Sequence, residues 1–441
     1  MATKPQRPTG GIGGAVAAAK QAARQSMLRN HGGGHAPVSN LELFFDLVYV
    51  FAITQASQFL HHHLTPLGLF QGGLLFLALW WAWMYTTWAT NWTNPDRLPI
   101  RLMLLALMLL SLTLAVALPN AFGDKALIFA ASYVALQLGR SLFLAEVFRR
   151  EGAVNTLNQL RISLWFAGSA LFWIGGALAG GTAQLVAWLI ALGIEYSGPF
   201  ALFVVPGLGR SQLRDWDISG SHMAERCALF IIIALGEGIV VTGASFAGLS
   251  MEPGRVAAFV IAFVGSALMW WLYFDLGMER GARMIAGHSQ AGRVARNAYT
   301  YLHMPIVLGI IMVAVGDALL LEHWDEAAGR EFVLFQIGGT MLYLAGVGLF
   351  KRVANTFGNF PFSHLIALLL LLALAAAGLA WPIGSDLLAG LGVIVLLVTA
   401  VWEWTSYHGG WLEPMEARGW RLAKVLRARN ERRAAAREAN Q

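Results

Sequence analysis

Residues 362–405 read FSHLIALLLLLALAAAGLAWPIGSDLLAGLGVIVLLVTAVWEWT. Two apolar runs, 362–381 and 386–405, are separated only by the break that follows Trp381-Pro382. A helix rises 1.5 Å per residue, so about twenty such residues cross a hydrocarbon core about 30 Å thick. Inside lipid each backbone N–H and C=O must be bonded within its own segment, which leaves the helix as the spanning form for runs of this kind. The stretch therefore predicts a pair of membrane-spanning helices joined by a tight turn.

The same pattern recurs along the chain. Apolar runs at 41–60, 68–90, 99–119, 126–147, 162–180 and 184–205 form a first set of six, and 224–247, 256–278, 298–320 and 331–350 complete a second set with the two above. The fold class expected is an all-α polytopic membrane protein of twelve spans. Composition agrees: hydrophobic residues are 57% and charged residues 13% of the 441, where a soluble domain is nearer half and a quarter. The breaks carry turn residues, as at Asn94-Pro95-Asp96 and Pro119-Asn120. With the first segment placed inside, alternate segments hold 27 of the 31 Lys and Arg residues and the opposite loops hold 3, with Arg140 inside a span. That asymmetry predicts both termini in the cytoplasm, because a missed or invented span would invert it. It also turns the net charge of +6 away from nucleic acid and towards the membrane surface.

Residues 1–39 are Gly/Ala-rich and basic, with no long apolar run ahead of a cleavage site. They read as a disordered cytoplasmic tail, not a signal peptide. Residues 407–441 carry eight arginines and lysines with Trp411 and Trp420, and read as a helical tail that either rests on anionic lipid or is solvated. Between the tails stand two halves, 40–206 and 207–406. A duplication would make them parallel six-helix repeats. Leu79-Trp80-Trp81 echoes Met269-Trp270-Trp271, Ile53-Thr54 echoes Val241-Thr242, and Glu42 echoes Glu225. Cys227 is the single cysteine, so neither an internal disulfide nor a cysteine metal site is available.

Ionisable groups inside spans are expensive, at roughly 2.5–3.5 kcal/mol each on insertion scales, and so mark candidate sites. Glu237 falls mid-span between Gly236 and Gly238, and Glu195 falls mid-span ahead of Pro199. Arg140 lies in the inner half of its span and His303 in the inner third, close to Pro305. Asp46 follows Glu42 by four residues, which puts both carboxylates on one helix face. Asp275, Asp317 and Glu403 lie nearer span ends, where they can reach headgroups. One reading is a proton or cation relay with Glu237 and Glu195 as carriers and Arg140 as a fixed positive charge. The other has Arg140 neutralising an acid and the network locking the bundle.

Aromatics crowd the second span. Helical spacing puts Trp81, Tyr85, Trp88 and Trp92 on one stripe, with Trp80 and Trp83 off it. Trp88 and Trp92 reach the depth of an interfacial belt. Trp80 and Trp81 lie deeper, where they pack in the core or, with Trp270 and Trp271, line a cavity. His61-His62-His63 are adjacent and cannot alone close a tetrahedral metal site, so neither metal nor cofactor is expected. Gly10-Gly11-Ile12-Gly13-Gly14 lacks the Lys-Ser/Thr of a phosphate loop, and no metalloprotease or nucleophile-elbow motif is present.

Three ordered blocks carry a family resemblance. They are Leu41 to Gln55, then Trp80-Trp81-Ala82-Trp83 with Trp88 to Trp92 and Asp96, then His222, Glu225-Arg226 and Leu235-Gly236-Glu237. From about residue 39 to 405 the chain resembles the bacterial low temperature requirement protein A family. The resemblance implies a multi-pass membrane protein and suggests a cold-related role. Gly238 stands where a Ser is common in that family. A second, weaker similarity links Phe45-Asp46, Val48 and Ile53-Thr54 to the motif opening each six-helix repeat of an endolysosomal and bacterial potassium-channel family. It implies a pore lined by the first and seventh spans. Here Phe45 replaces the motif's Ser, no Arg precedes it, and the seventh span lacks the Asp.

The function expected is movement of an ion or small solute, not enzymatic turnover. The path is placed near Glu237, Glu195, Arg140, Asp46, Glu42 and His303. A cation channel with an apolar constriction at Val48–Ala52 is the alternative, and a lipid-acting enzyme using Asp46 or Glu237 is a further one. Partners expected are membrane lipids, the transported species and further copies of the chain; nucleic acid is not among them.

Overall fold

The computed structural model describes residues 26–29, 37–153, 155–212, 219–275, 296–354, 359–407, 418–420 and 428. The Gly10–Gly14 segment and most of the basic tail beyond Tyr407 lie outside these residues. The first half contains α1 (Asn40–His62), α2 (Pro66–Trp92), α3 (Leu98–Ala117), α4 (Ala126–Arg150), α5 (Thr156–Ala179) and α6 (Gly181–Ser197). The second half begins with α7 (Gly220–Ala247), α8 (Pro253–Phe274) and α9 (His303–Glu322). Next comes α10, made of Arg330–Phe332, a π-helical stretch Val333–Gly338 and Gly339–Ala354. α11 (Phe362–Ala380) and α12 (Ser385–Tyr407) end the described bundle. The protein is an all-α polytopic membrane protein.

Eleven of these helices are long and apolar enough to cross a membrane, against the twelve spans expected. The exception is the run 184–205, and its chemistry explains why. Pro199 has no N–H to continue the helix, and α6 stops at Ser197 after 17 residues. Beyond it Leu202 and Phe203 turn left-handed, with φ of 52° and 46°. The Phe203 N–H donates to Gly198 O at 2.9 Å, and the Ser211 N–H donates to Leu202 O at 2.8 Å. Such φ values are costly without glycine, and these bonds with the burial of the Phe203 ring hold them.

Local signals start the other helices where expected. The Ser39 hydroxyl accepts from Glu42 N while the Glu42 carboxylate accepts from Ser39 N, a capping box that opens α1. Thr65 caps α2 with Pro66 in its first turn, and Pro253 opens α8.

Within the first half α1 packs on α2 and α3, α3 on α4, α4 on α5, α5 on α6, and α2 also on α4 and α6. In the second half α7 packs on α8 and α9, α9 on α10, α10 on α11, α11 on α12, and α8 on α12. The halves meet where α1 touches α7 and α9 and where α2 touches α7. Between α9 and α10 the backbones approach closely over Gly309, Gly316, Gly339 and Gly346. Small residues are what permit such contact when lipid is the competing solvent.

Candidate functional site

Near the N-terminal ends of α1 and α7 two i,i+4 pairs face each other. Glu42 and Asp46 project from α1, His222 and Arg226 from α7, and all four are fully buried. Arg226 Nη1 donates to Glu42 Oε1 at 3.2 Å and Nη2 to Asp46 Oδ1 at 2.6 Å. The Trp83 indole donates to the same Asp46 oxygen at 2.7 Å. Asn91 Nδ2 donates to His222 Nδ1 at 3.1 Å, which leaves the imidazole Nε2–H to donate to Glu42 Oε1 at 2.8 Å. Arg29 reaches the second Glu42 oxygen at 3.1 Å. Two carboxylates thus meet two guanidinium groups, and the cluster closes nearly neutral.

Arg29 belongs to a stretch that composition assigned to a disordered tail. Instead, residues 26–29 are held against the N-terminal end of α1, the end of α2 and Glu151. Arg29 N donates to Trp92 O, Asn94 N to Met27 O, and Ser26 and Met27 both donate to Glu151.

A second level lies deeper. Glu237 of α7 is half-buried, and its Oε1 pairs with the Thr54 hydroxyl of α1. The same hydroxyl stands 3.1 Å from the Val50 carbonyl of its own helix. Among the described residues Glu237 makes no ion pair. Thr54 has one proton and two acceptors in reach. When that proton goes to Val50 O, only a protonated Glu237 can bond to Thr54, by donating to its oxygen. When Glu237 is ionised, Thr54 donates to it. The pair therefore has two bonding states that differ by one proton on Glu237.

The other expected carriers are held differently. Glu195 lies near the C-terminal end of the short α6 and is buried. It accepts from the Ser169 hydroxyl at 2.7 Å, the Trp173 indole at 2.9 Å and the Tyr133 hydroxyl. Three donors aimed at one carboxylate make it a structural knot of the first half. Glu195→Leu strands the Tyr133 hydroxyl and the Trp173 indole, while the Ser169 hydroxyl keeps Phe166 O at 3.0 Å, and is expected to cost about 2–5 kcal/mol, with Glu195→Gln much milder; thermal unfolding in detergent measures both. Arg140 does not pair with Glu195 directly. It donates to Ala82 O at 3.2 Å, to the Thr86 hydroxyl at 3.1 Å and to Gln137 Oε1. Gln137 donates to the Tyr133 hydroxyl at 3.0 Å, so guanidinium and Glu195 are joined only through two neutral groups. His303 is fully buried between the Tyr273 hydroxyl at 2.8 Å and Ala298 O at 3.0 Å. These contacts fix the orientation of its ring at the start of α9.

Three further expectations change. Trp88 and Trp92, assigned to an interfacial belt, are only 4% and 6% exposed because α4 and neighbouring rings cover them. Trp81 lines a cavity beside Arg140. Trp80 is buried with its indole donating to Thr300 O at 2.8 Å, whereas Trp270 and Trp271 are 50% and 43% exposed and line no wall with it. Asp317 and Glu403 do not snorkel. Asp317 accepts from Gln336 at 3.1 Å, and Glu403 is buried against Lys351 and His364. Asp275 is exposed as expected. Among the described residues no group of three or more His, Cys, Asp or Glu side chains is arranged to hold a metal ion. His61 instead sits 3.4 Å from Glu322.

Residues 37–401 match the family described as bacterial low temperature requirement A protein, LtrA. The chain belongs to the LtrA family. An uncharacterized protein of Rhizobium meliloti is 39% identical to this LtrA chain over 381 residues, covering 86% of it and 92% of the relative. No solved structure matches the chain. In this LtrA protein the blocks that carried the resemblance converge in space, since Glu42 and Asp46, Trp83 and Asn91, and His222 and Arg226 form one cluster. Arg226 and His222 stood among the residues that carried the resemblance but were not placed on the expected path. The signal was present: a Glu/Asp pair four apart on one helix demands a cation, and His222 and Arg226 have the same spacing.

Proposed function

We propose that the protein moves an ion or small solute across the bacterial cytoplasmic membrane, coupled to a proton carried by Glu237. The observation that carries this reading is the Glu237–Thr54 pair, a half-buried carboxylate in the middle of α7 whose described partner is a neutral hydroxyl on α1. Glu42, Asp46 and Glu403 are each answered by a cation, and Glu195 by three donors. Glu237 retains two bonding states a proton apart. A carboxylate answered by no described cation in the middle of a span is expensive, which favours a working role over a packing role.

The topology proposed has both termini in the cytoplasm. α6 and the irregular segment after it complete the sixth crossing, in keeping with the 27-to-3 distribution of Lys and Arg. The corresponding helix neighbours in the two halves support a parallel six-helix repeat. In both halves the echoed threonine bonds back to its own helix, Thr54 to Val50 O and Thr242 to Gly238 O. The Glu42–Arg226 cluster then acts as the inner pivot about which α1 and α7 move.

Reconstituted into vesicles with an imposed pH gradient, the wild type is expected to move protons, and Glu237→Gln to reduce that flux to the level of empty vesicles. Equal flux in the two would remove Glu237 from the path. A cation channel is the second reading, favoured by the contact of α1 with α7, the first helices of the two halves. It predicts ohmic current that survives Glu237→Gln.

A further inference from the structure

Asp317 of α9 is a buried acid that the path through Glu237 leaves unused. It is 2% exposed, and among the described residues it makes no ion pair. Its described partner is neutral: the Gln336 amide N–H donates to Asp317 Oδ1 at 3.1 Å. Gln336 stands in the π-helical stretch of α10, a local departure from α-helix that is frequent at functional sites. Gly316 admits it against α9, since a Cβ there would lie 2.9 Å from Gln336 N and Cα. The amide itself supplies a second observation. Gln336 Oε1 is buried and has no hydrogen-bond partner among the described residues. An unmet buried acceptor costs about 1–3 kcal/mol. A buried carboxylate without a cation costs more, and such a group becomes neutral by taking up a proton.

One proton answers both penalties. An O–H bond formed at Asp317 Oδ2 removes the charge and creates the donor that Gln336 Oε1 lacks, while Oδ1 goes on accepting from the amide N–H. The two oxygens of a carboxyl group and the nitrogen and oxygen of an amide are similarly spaced, so the pair can close as a ring of two hydrogen bonds. Charged groups on the elements packed against α9 are engaged elsewhere. His61 of α1 lies 3.4 Å from Glu322, Arg255 of α8 donates to Leu321 O at 3.2 Å, and Glu237 of α7 bonds to Thr54. Arg330 and Glu331 are exposed in the first turn of α10, and Asp386 of α12 accepts from Leu387 N at 2.7 Å. α9 also links this acid to Glu237. Ala314 packs on Gly238, where a Cβ would stand 3.6 Å from it, and Asp317 follows three residues, or about 4.5 Å, further along the axis.

We propose that Asp317 is a second proton-binding site, a neutral acid closed against Gln336 by two hydrogen bonds, and that it is the station on the outer side of Glu237. The place on a path rests on the transport reading and its topology; the proton on Asp317 does not.

Infrared spectra of the full-length reconstituted protein, recorded at constant neutral pH as H2O is exchanged for D2O, test the proton without flux. Exchange shifts the carbonyl band of every protonated carboxyl group that the solvent reaches. Carbon-13 in the aspartate side-chain carboxyls moves the Asp317 band and leaves that of Glu237 in place. The wild type is expected to show an aspartate band that survives in Glu237→Gln, is lost in Asp317→Asn and shifts in Gln336→Met. Asp317→Asn replaces the acid O–H by an amide N–H and so preserves the ring, which separates loss of the band from loss of the fold. The band is expected to be unmoved by the pH rise that ionises Glu237, which keeps the two protons apart. In vesicles Asp317→Asn, which has no proton to release, is expected to lose proton flux while unfolding at the wild-type temperature. Absence of an aspartate band, its persistence in Asp317→Asn, or wild-type flux in that variant would overturn the inference. Wild-type vesicles without proton flux would instead remove the transport reading, with the exchange spectra still deciding whether Asp317 holds a proton.

Discussion

Replacing Arg226 with Met is expected to lower stability by about 3–5 kcal/mol, enough to remove most folded protein from the membrane fraction. The guanidinium answers Glu42 at 3.2 Å and Asp46 at 2.6 Å in a fully buried cluster. Without it two carboxylates stand in the interior with one cation, Arg29, touching only Glu42. The cost lies in the charge left behind rather than in the strength of the pair. The triple change Glu42→Gln, Asp46→Asn, Arg226→Met removes the charges together and is expected to recover more than half of the loss. Yield and thermal unfolding in detergent compare the two. A triple variant as unstable as the single one would mean that the cluster contributes shape, not charge balance.

Gly309→Ala is expected to damage the second half about as severely. A Cβ there would stand 2.6 Å from Tyr343 N and 2.8 Å from Gly339 O, both backbone atoms of α10 that cannot swing aside. At Gly316 it would meet Gln336 N and Cα at 2.9 Å. Overpacking of this kind costs typically about 1–3 kcal/mol, and more where backbone must move. Because Tyr343 also donates to Met269 O of α8, parting α9 from α10 disturbs three helices. Gly236→Ala is the control. A Cβ there has nothing within 4 Å, and removing a helix glycine is worth up to about 1 kcal/mol in favour of the variant. Thermal unfolding of the three variants therefore separates close approach from glycine flexibility.

The helices were legible because lipid imposes a rule that a single sequence obeys visibly. A run of about twenty apolar residues must be helical, and the Lys/Arg asymmetry orders the runs. The sixth run escaped the rule, since hydropathy sees Leu202 and Phe203 as good membrane residues while Pro199 and the positive φ values end the helix before them. Depth along the chain identified Glu237, Glu195, Arg140 and Asp46 as expensive groups, but it does not say which neighbours satisfy them. The saturation of Glu195 by Tyr133, Ser169 and Trp173 depends on three helices meeting, which periodicity does not encode. Trp88 and Trp92 show the same limit in reverse: their depth matches a belt, and their azimuth turns them inward. Arg226 was left off the expected path for a correctable reason, because its charge was counted for topology and not matched against Glu42 and Asp46.

The central claim is that Glu237 exchanges a proton at the level of Thr54, and infrared difference spectroscopy on the reconstituted protein tests it most directly. Raising the pH is expected to remove a carbonyl-stretch band of a protonated carboxyl group reversibly. That band should be absent from Glu237→Gln and shifted in Thr54→Val, which deletes the hydroxyl partner. An identical pH-dependent band in the wild type and Glu237→Gln would assign the proton to another group and contradict the account.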